Sequence, residues 1–176
     1  MKRRTILFAG IAGLTAAASG TAVAAATSRR ARVRRYIGPK ITQVTVHKKT
    51  RRMYLSSNGK VIRDYKIGLG FAPVGHKRMR GDGRTPEGAY RIDRRNEFSR
   101  YHLSLGISYP NRRDRAAAAA IGKHPGGDIF IHGGPVSRKE KRGGKDWTAG
   151  CIAVKNREME EIYAMVENGT TVYITG

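Results

Sequence analysis

Ile41-Thr42-Gln43-Val44-Thr45-Val46, then Arg52-Met53-Tyr54-Leu55 and Ser57-Asn58-Gly59-Lys60, is the stretch that decides the fold. The first run alternates and is rich in β-branched residues, so it predicts a strand. A basic turn at 49–52 leads to a second strand at 52–55. Asn-Gly flanked by strand-like runs is a hairpin signal, because both residues tolerate the positive φ of a tight turn. Residues 60–69 return as a third strand. The domain therefore begins as a three-stranded meander.

Working outward from it, residues 68–84 hold many glycines and Pro73 and read as a long loop. Residues 89–92 and 101–108 alternate again, the latter ending at the turn Tyr109-Pro110-Asn111. The alanine run at 115–121 predicts a short helix, with Asn111 and Asp114 as caps and Gly122 closing it. Residues 128–132 read as strand and 138–145 as a charged loop. Residues 151–154 read as a strand or the start of a turn into a helix. Met159, Ile162, Tyr163 and Val166 give residues 157–166 one apolar face, with Asn156 as the expected cap. Residues 171–174 form a closing strand. The expected fold is mainly β: a small mixed sheet, as a sandwich or open barrel, with about seven strands and two short helices.

Upstream, residues 1–25 read as a signal peptide. Lys2, Arg3 and Arg4 form a basic start, a mildly apolar stretch follows, and Ala22-Val23-Ala24 is a small-x-small cleavage pattern. Arg3-Arg4 followed by Thr5, Ile6 and Leu7 also fits a twin-arginine signal. Sec and Tat export both stay open. Residues 26–40 form a basic leader, expected to be flexible, and 41–176 a single domain. Export to the periplasm or cell envelope is expected, with no membrane span after signal removal.

The net charge is +22, from 35 Lys and Arg against 13 Asp and Glu. Such a charge sets the sign of the partner as anionic. The basic residues are dispersed, and no helix-turn-helix, zinc-finger spacing or RNA-binding motif accompanies them, so nucleic acid is not the expected partner.

An exported chain normally pairs its cysteines or has none, yet Cys151 is the single cysteine here. It follows Thr148-Ala149-Gly150 and leads into Ile152-Ala153-Val154. Upstream, His132 follows Asp128-Ile129-Phe130-Ile131 and precedes Gly133-Gly134. A nucleophile and a base, each where a strand meets a Gly-rich turn, suit thiol catalysis. A nearby imidazolium would lower the thiol pKa. His76, His102, His124, His132 and Cys151 form no recognised metal spacing, so no metal or other cofactor is expected.

The segment Ile131-His132-Gly133-Gly134 … Thr148-Ala149-Gly150-Cys151-Ile152 resembles the signature of the L,D-transpeptidase (YkuD-like) family. Gly81-Asp82-Gly83-Arg84-Thr85-Pro86-Glu87-Gly88 resembles its Thr-Pro-x-Gly loop. Gly169-Thr170-Thr171-Val172-Tyr173-Ile174 resembles its closing strand. Ser108-Tyr109-Pro110-Asn111 and Asp146-Trp147-Thr148 resemble the branch acting on murein-attached lipoprotein. Many relatives carry His before the Gly-Cys pair, where this chain has Ala149.

The resemblance implies a cysteine transpeptidase acting on peptidoglycan stem peptides through a thioester, with an amine, a lipoprotein lysine or water as acceptor. A hydrolytic relative, releasing lipoprotein or a terminal D-amino acid, and a noncatalytic wall-binding domain are the alternatives. Cys151 is the expected nucleophile and His132 the base, with the Gly133 carbonyl holding its tautomer. The N–H of Cys151, with Gly150 or Ala149, is the expected oxyanion hole. Arg84, Lys145, Trp147 and His102 are candidate substrate contacts, and Asp82 is expected to bond its own glycine loop. A monomer is expected.

Overall fold

A computed structural model describes residues 35–176. The signal peptide and most of the basic leader lie outside the described residues. The elements are β1 (Gln43–His47), β2 (Arg52–Ser57), β3 (Lys60–Lys66), β4 (Gly88–Asn96), β5 (Ser104–Ile107), α1 (Arg112–Ala120), β6 (Phe130–His132), α2 (Arg138–Arg142), β7 (Ile152–Ala153), α3 (Asn156–Met165) and β8 (Thr171–Thr175).

The meander forms as its pattern requires. β1 to β3 pair antiparallel in order, and Asn58 and Gly59 turn the hairpin at φ +46° and +81°. The full sheet runs β3-β2-β1-β8-β4-β5-β6-β7. It is mixed: β8 lies parallel to β1 and β7 parallel to β6, while the other neighbours are antiparallel. The last strand of the chain thus sits at the centre of the sheet.

The sheet curls until its two ends meet. Just past β3, Gly68 and Ala153 exchange backbone hydrogen bonds of 2.8 Å each, and Gly70 bridges to Thr148. Isolated bridges rather than a continuous ladder tie the edge beyond β3 to the β7 side, so the barrel is open, in line with the second of the two expected architectures. Alternating inward residues fill it, among them Val44, Val46, Met53, Leu55, Leu105, Ile131 and Val172, all fully buried. Each such aliphatic side chain contributes about 1.5–3 kcal/mol relative to an exposed one. α3 adds Met159, Ile162, Tyr163 and Met165 from one face.

Several local expectations shift. The 101–108 run is strand only from Ser104, because His102 takes φ +75° and breaks the alternation. α1 starts at Arg112, under a reciprocal capping box between Asn111 and Asp114. Residues 138–145, expected as loop, hold α2, started by a capping box of Ser137 and Glu140. Asn156 does not cap α3. Lys155 occupies that position, and the Asn156 side chain instead accepts the Gly134 N–H at 2.8 Å. The count of eight strands and three helices among the described residues exceeds the expectation by one of each.

Candidate active site

The parallel pair β6–β7 sets Ile131 opposite Ile152 and His132 opposite Ala153. Side chains alternate along strands. Ile131 and Ile152 fill the core. His132, and Cys151 two residues before Ala153, therefore share the opposite face of adjacent strands.

The turn carrying Cys151 is held by its own hydroxyl. Thr148 Oγ1 donates to the Cys151 carbonyl at 2.7 Å and accepts the Gly150 N–H at 3.1 Å. Gly150 has φ +134°, and a Cβ there would sit 2.7 Å from the Arg84 carbonyl oxygen. Gly70 is equally constrained, since a Cβ would lie 2.0 Å from the Gly83 carbonyl oxygen and 2.9 Å from Gly150 Cα. Three backbone segments meet here with no room for side chains. Thr85, fully buried, accepts the Gly70 N–H through its hydroxyl. The Thr-Pro loop thus braces the Cys151 turn from behind.

His132 is buried, and its Nδ1 lies 2.6 Å from the Gly133 carbonyl oxygen. A carbonyl only accepts, so Nδ1 carries the proton and Nε2 presents its lone pair. Tyr101 stacks on the imidazole and Trp147 meets it edge-on, with 5.6 Å between ring centroids. The Tyr101 hydroxyl donates to Glu140 Oε1 at 2.9 Å. Burial works against the Glu140 carboxylate, but the N–H groups of Ser137 and Val136 and the Tyr101 hydroxyl hold its pKa down to about 2.

Cys151 is half-buried, with Sγ 3.5 Å from the Asp128 carbonyl oxygen. Burial pushes its pKa up; the Phe130 backbone N–H opposes this. Burial pushes the His132 pKa down, against the Gly133 carbonyl. Both shifts favour a neutral thiol and a neutral imidazole. This differs from the expected imidazolium that lowers the thiol pKa, and the cause is the desolvation of both groups.

The other candidates divide. Trp147 stands in the site. Lys145 is exposed and lines a cleft of about 810 Å³ that Trp147 and Gly134 share. Arg84 meets the site through its backbone, its N–H bonded to Asp82 Oδ1 and its carbonyl against Gly150. His102 points elsewhere: its Nε2 pairs with Glu160 Oε1 on α3 at 2.9 Å. Gly150's N–H is engaged by Thr148. Among the described residues the N–H groups of Ala149 and Cys151 have no hydrogen-bond acceptor. Asp82 accepts from the backbone N–H groups of Arg78, Met79 and Arg84, and from Lys77, as expected of a loop brace. No group of three or more His, Cys, Asp or Glu able to hold a metal occurs among the described residues.

Sequence reading missed Tyr101, Glu140 and Asn156. Tyr101 lay in a run read as plain strand and Glu140 in a run read as loop. A Ser three residues before a Glu was the one available signal for α2 and its anchoring carboxylate.

The sequence model of the L,D-transpeptidase catalytic domain, YkuD, matches residues 41–174. The putative L,D-transpeptidase YafK of Escherichia coli K12 is 29% identical over 133 residues, 73% of this chain and 47% of that protein. The chain spans about half the length of the curated relatives it matches. Among solved structures, the helical cell shape determining protein Pgp2 from Campylobacter jejuni is 29% identical with a TM-score of 0.59, over 79% of this chain and 49% of that one. Bd1075 from Bdellovibrio bacteriovorus, at 23% identity and TM-score 0.54 over 83% of this chain and 52% of its own, shares the fold.

Proposed function

We propose, from the premise that this chain belongs to the YkuD family of L,D-transpeptidase catalytic domains, that it is a cysteine acyltransferase acting on peptidoglycan stem peptides outside the cytoplasm. The observation that carries the reading is the His132 Nδ1 contact with the Gly133 carbonyl, which leaves Nε2 as the base on the face it shares with Cys151.

The chemistry follows from that tautomer. Nε2 takes the Sγ proton as sulfur attacks the carbonyl carbon on the L-centre of the stem diamino acid. An S–C bond forms and the carbonyl oxygen becomes an oxyanion. The N–H groups of Cys151 and Ala149 are the available donors for it, and each well-aimed donor is worth about 10²–10³ in rate. His132 then returns the proton to the amine of the following D-residue. The C–N bond breaks and a thioester remains. An incoming amine gives its proton to Nε2, attacks the thioester and restores the thiol. Water in place of the amine gives hydrolysis through the same intermediate.

Acceptor choice does not rest on the turns that suggested a lipoprotein-acting branch. Asn111 caps α1, Ser108 Oγ accepts the Arg91 N–H, and Asp146 binds Arg51 and the Leu69 N–H. Those contacts serve the fold. A free stem amine, a lipoprotein lysine and water all remain within the proposal.

The test is incubation of the protein with defined tetrapeptide muropeptides, alone and with an added amine or lipoprotein-linked substrate, followed by mass spectrometry. Loss of the terminal D-residue with a cross-linked or amine-exchanged product is expected, and none with Cys151→Ala. Trimmed product alone would assign hydrolysis. Unchanged muropeptides bound by the protein would favour a noncatalytic wall-binding domain.

A further inference from the structure

The two ends of the sheet zip together at Gly68 and Ala153 and then stop. Continuing that antiparallel register by two residues would set Lys66 directly opposite Lys155. Like charges facing each other across a ladder are destabilising. The ladder does end there: the Lys155 N–H, the next donor in line, turns to Glu158 Oε2 at 2.9 Å. The edges splay and leave the 810 Å³ cleft, lined by Lys66 to Gly68 on one side and Ala153 to Lys155 on the other.

Lys49 and Lys145 also line this cleft. All four lysines are exposed, and among the described residues none of their ammonium groups pairs with a carboxylate, whereas the neighbouring Arg51 and Arg52 are paired with Asp146 and Asp64. Trp147, partly exposed, supplies an aromatic surface among the charges, and the backbone of the buried Ile67 and Val154 forms the wall behind it. The cleft adjoins the candidate base through two of its lining residues. Trp147 touches the His132 ring, and Ala153 is the strand partner of His132.

We infer that this splayed-edge cleft binds a carboxylate-bearing peptide, whose negative groups lie between Lys66 and Lys155 and whose chain runs past Trp147 to the thiol. The inference rests on the peptidoglycan reading above and adds to it where the anionic stem is held. A peptide fits better than a phosphate polymer because an aromatic side chain, Trp147, lies among the cations and packs against the candidate base. Its size is within the roughly 300–1,000 Å³ of small-ligand sites.

The test compares the parent with Lys66→Glu/Lys155→Glu and with a charge-matched control, Lys60→Glu/Lys123→Glu, at exposed positions outside the cleft. The probes are a fluorescent disaccharide-tetrapeptide and a short polyphosphate, read by anisotropy. Alkylation of Cys151 by neutral iodoacetamide reports the integrity of the site. The cleft variant should lose about tenfold in muropeptide affinity and the control less than about threefold, since only local charge contacts are reversed. Alkylation should stay within about twofold of the parent, because iodoacetamide carries no charge to steer.

Equal loss in both variants, no loss in the cleft variant, or parent binding to polyphosphate but not to the muropeptide would each overturn the inference. If the Glu variant unfolds, Lys66→Gln/Lys155→Gln is judged by the same comparison. A parent that binds muropeptide through these lysines but never processes it would sink the catalytic reading and leave the cleft standing. Processing with KM unchanged in the cleft variant would do the reverse.

Discussion

The ring of Tyr101 lies stacked on the imidazole of His132, with 4.6 Å between centroids and 29° between their planes. Its hydroxyl is tied to Glu140, so α2 fastens one face of the imidazole while the Gly133 carbonyl fixes its edge. Stacked rings are worth about 0.5–1.5 kcal/mol beyond their buried area. Here that energy orients the candidate base. Tyr101→Ala should slow acylation of Cys151 by a carbapenem about tenfold, because a loosened ring spends less time in productive geometry. Tyr101→Phe keeps the stack and should stay within about threefold of the parent. Intact-protein mass against time measures both. Equal rates for the Ala variant and the parent would show the stack to be packing alone.

His132→Ala should fold and lose about 10²–10⁴-fold in the same acylation rate, the usual worth of general acid–base catalysis. His102→Ala should leave the rate within about threefold, since its imidazole is occupied by Glu160 away from the thiol. The reverse ranking would move the base to His102.

The pH dependence has a definite sign. A protonated His132 cannot take the Sγ proton, and burial lowers its pKa below the ordinary value. Carbapenem acylation should therefore hold level from neutral pH down past about 6.5, the unperturbed histidine value, and fall only below it. Burial raises the Cys151 pKa, so iodoacetamide alkylation should still be climbing above about pH 8.5, the unperturbed thiol value. An alkylation plateau reached near pH 6 would instead reveal a resting thiolate–imidazolium pair.

Lys48 is almost fully buried, and its ammonium donates to the carbonyls of Gly75 and Thr85 and to Glu87 Oε1, at 2.6, 2.9 and 2.7 Å. It pins the Thr-Pro loop that braces the Cys151 turn. Lys48→Met leaves a carboxylate and two carbonyls without their cation, and losing one partner of a buried pair costs about 3–5 kcal/mol. Urea unfolding followed by tryptophan fluorescence should show a loss of that order. A loss below about 1 kcal/mol would mean that water replaces the ammonium freely.

The local parts of this protein were legible in its residues. Asn58-Gly59 could only turn a hairpin between alternating runs. Asn111 and Asp114 cap α1 through bonds within one turn, and the three- and four-residue spacing of Met159, Ile162 and Tyr163 put one face of α3 in the core. The lone Cys151 and His132, each beside glycine, marked the candidate site because thiol chemistry needs a base and a close backbone. Long-range pairing decided the rest. β8 lies between β1 and β4 because Val172 and Ile174 fill the sheet centre, a pairing between strands at opposite ends of the domain. The stacking of Tyr101 on His132, the turning of His102 to Glu160 and the bridging of Gly68 to Ala153 likewise join residues from different strands and loops. No periodicity within a segment encodes such contacts. They come into being only when the sheet curls and brings its two ends together.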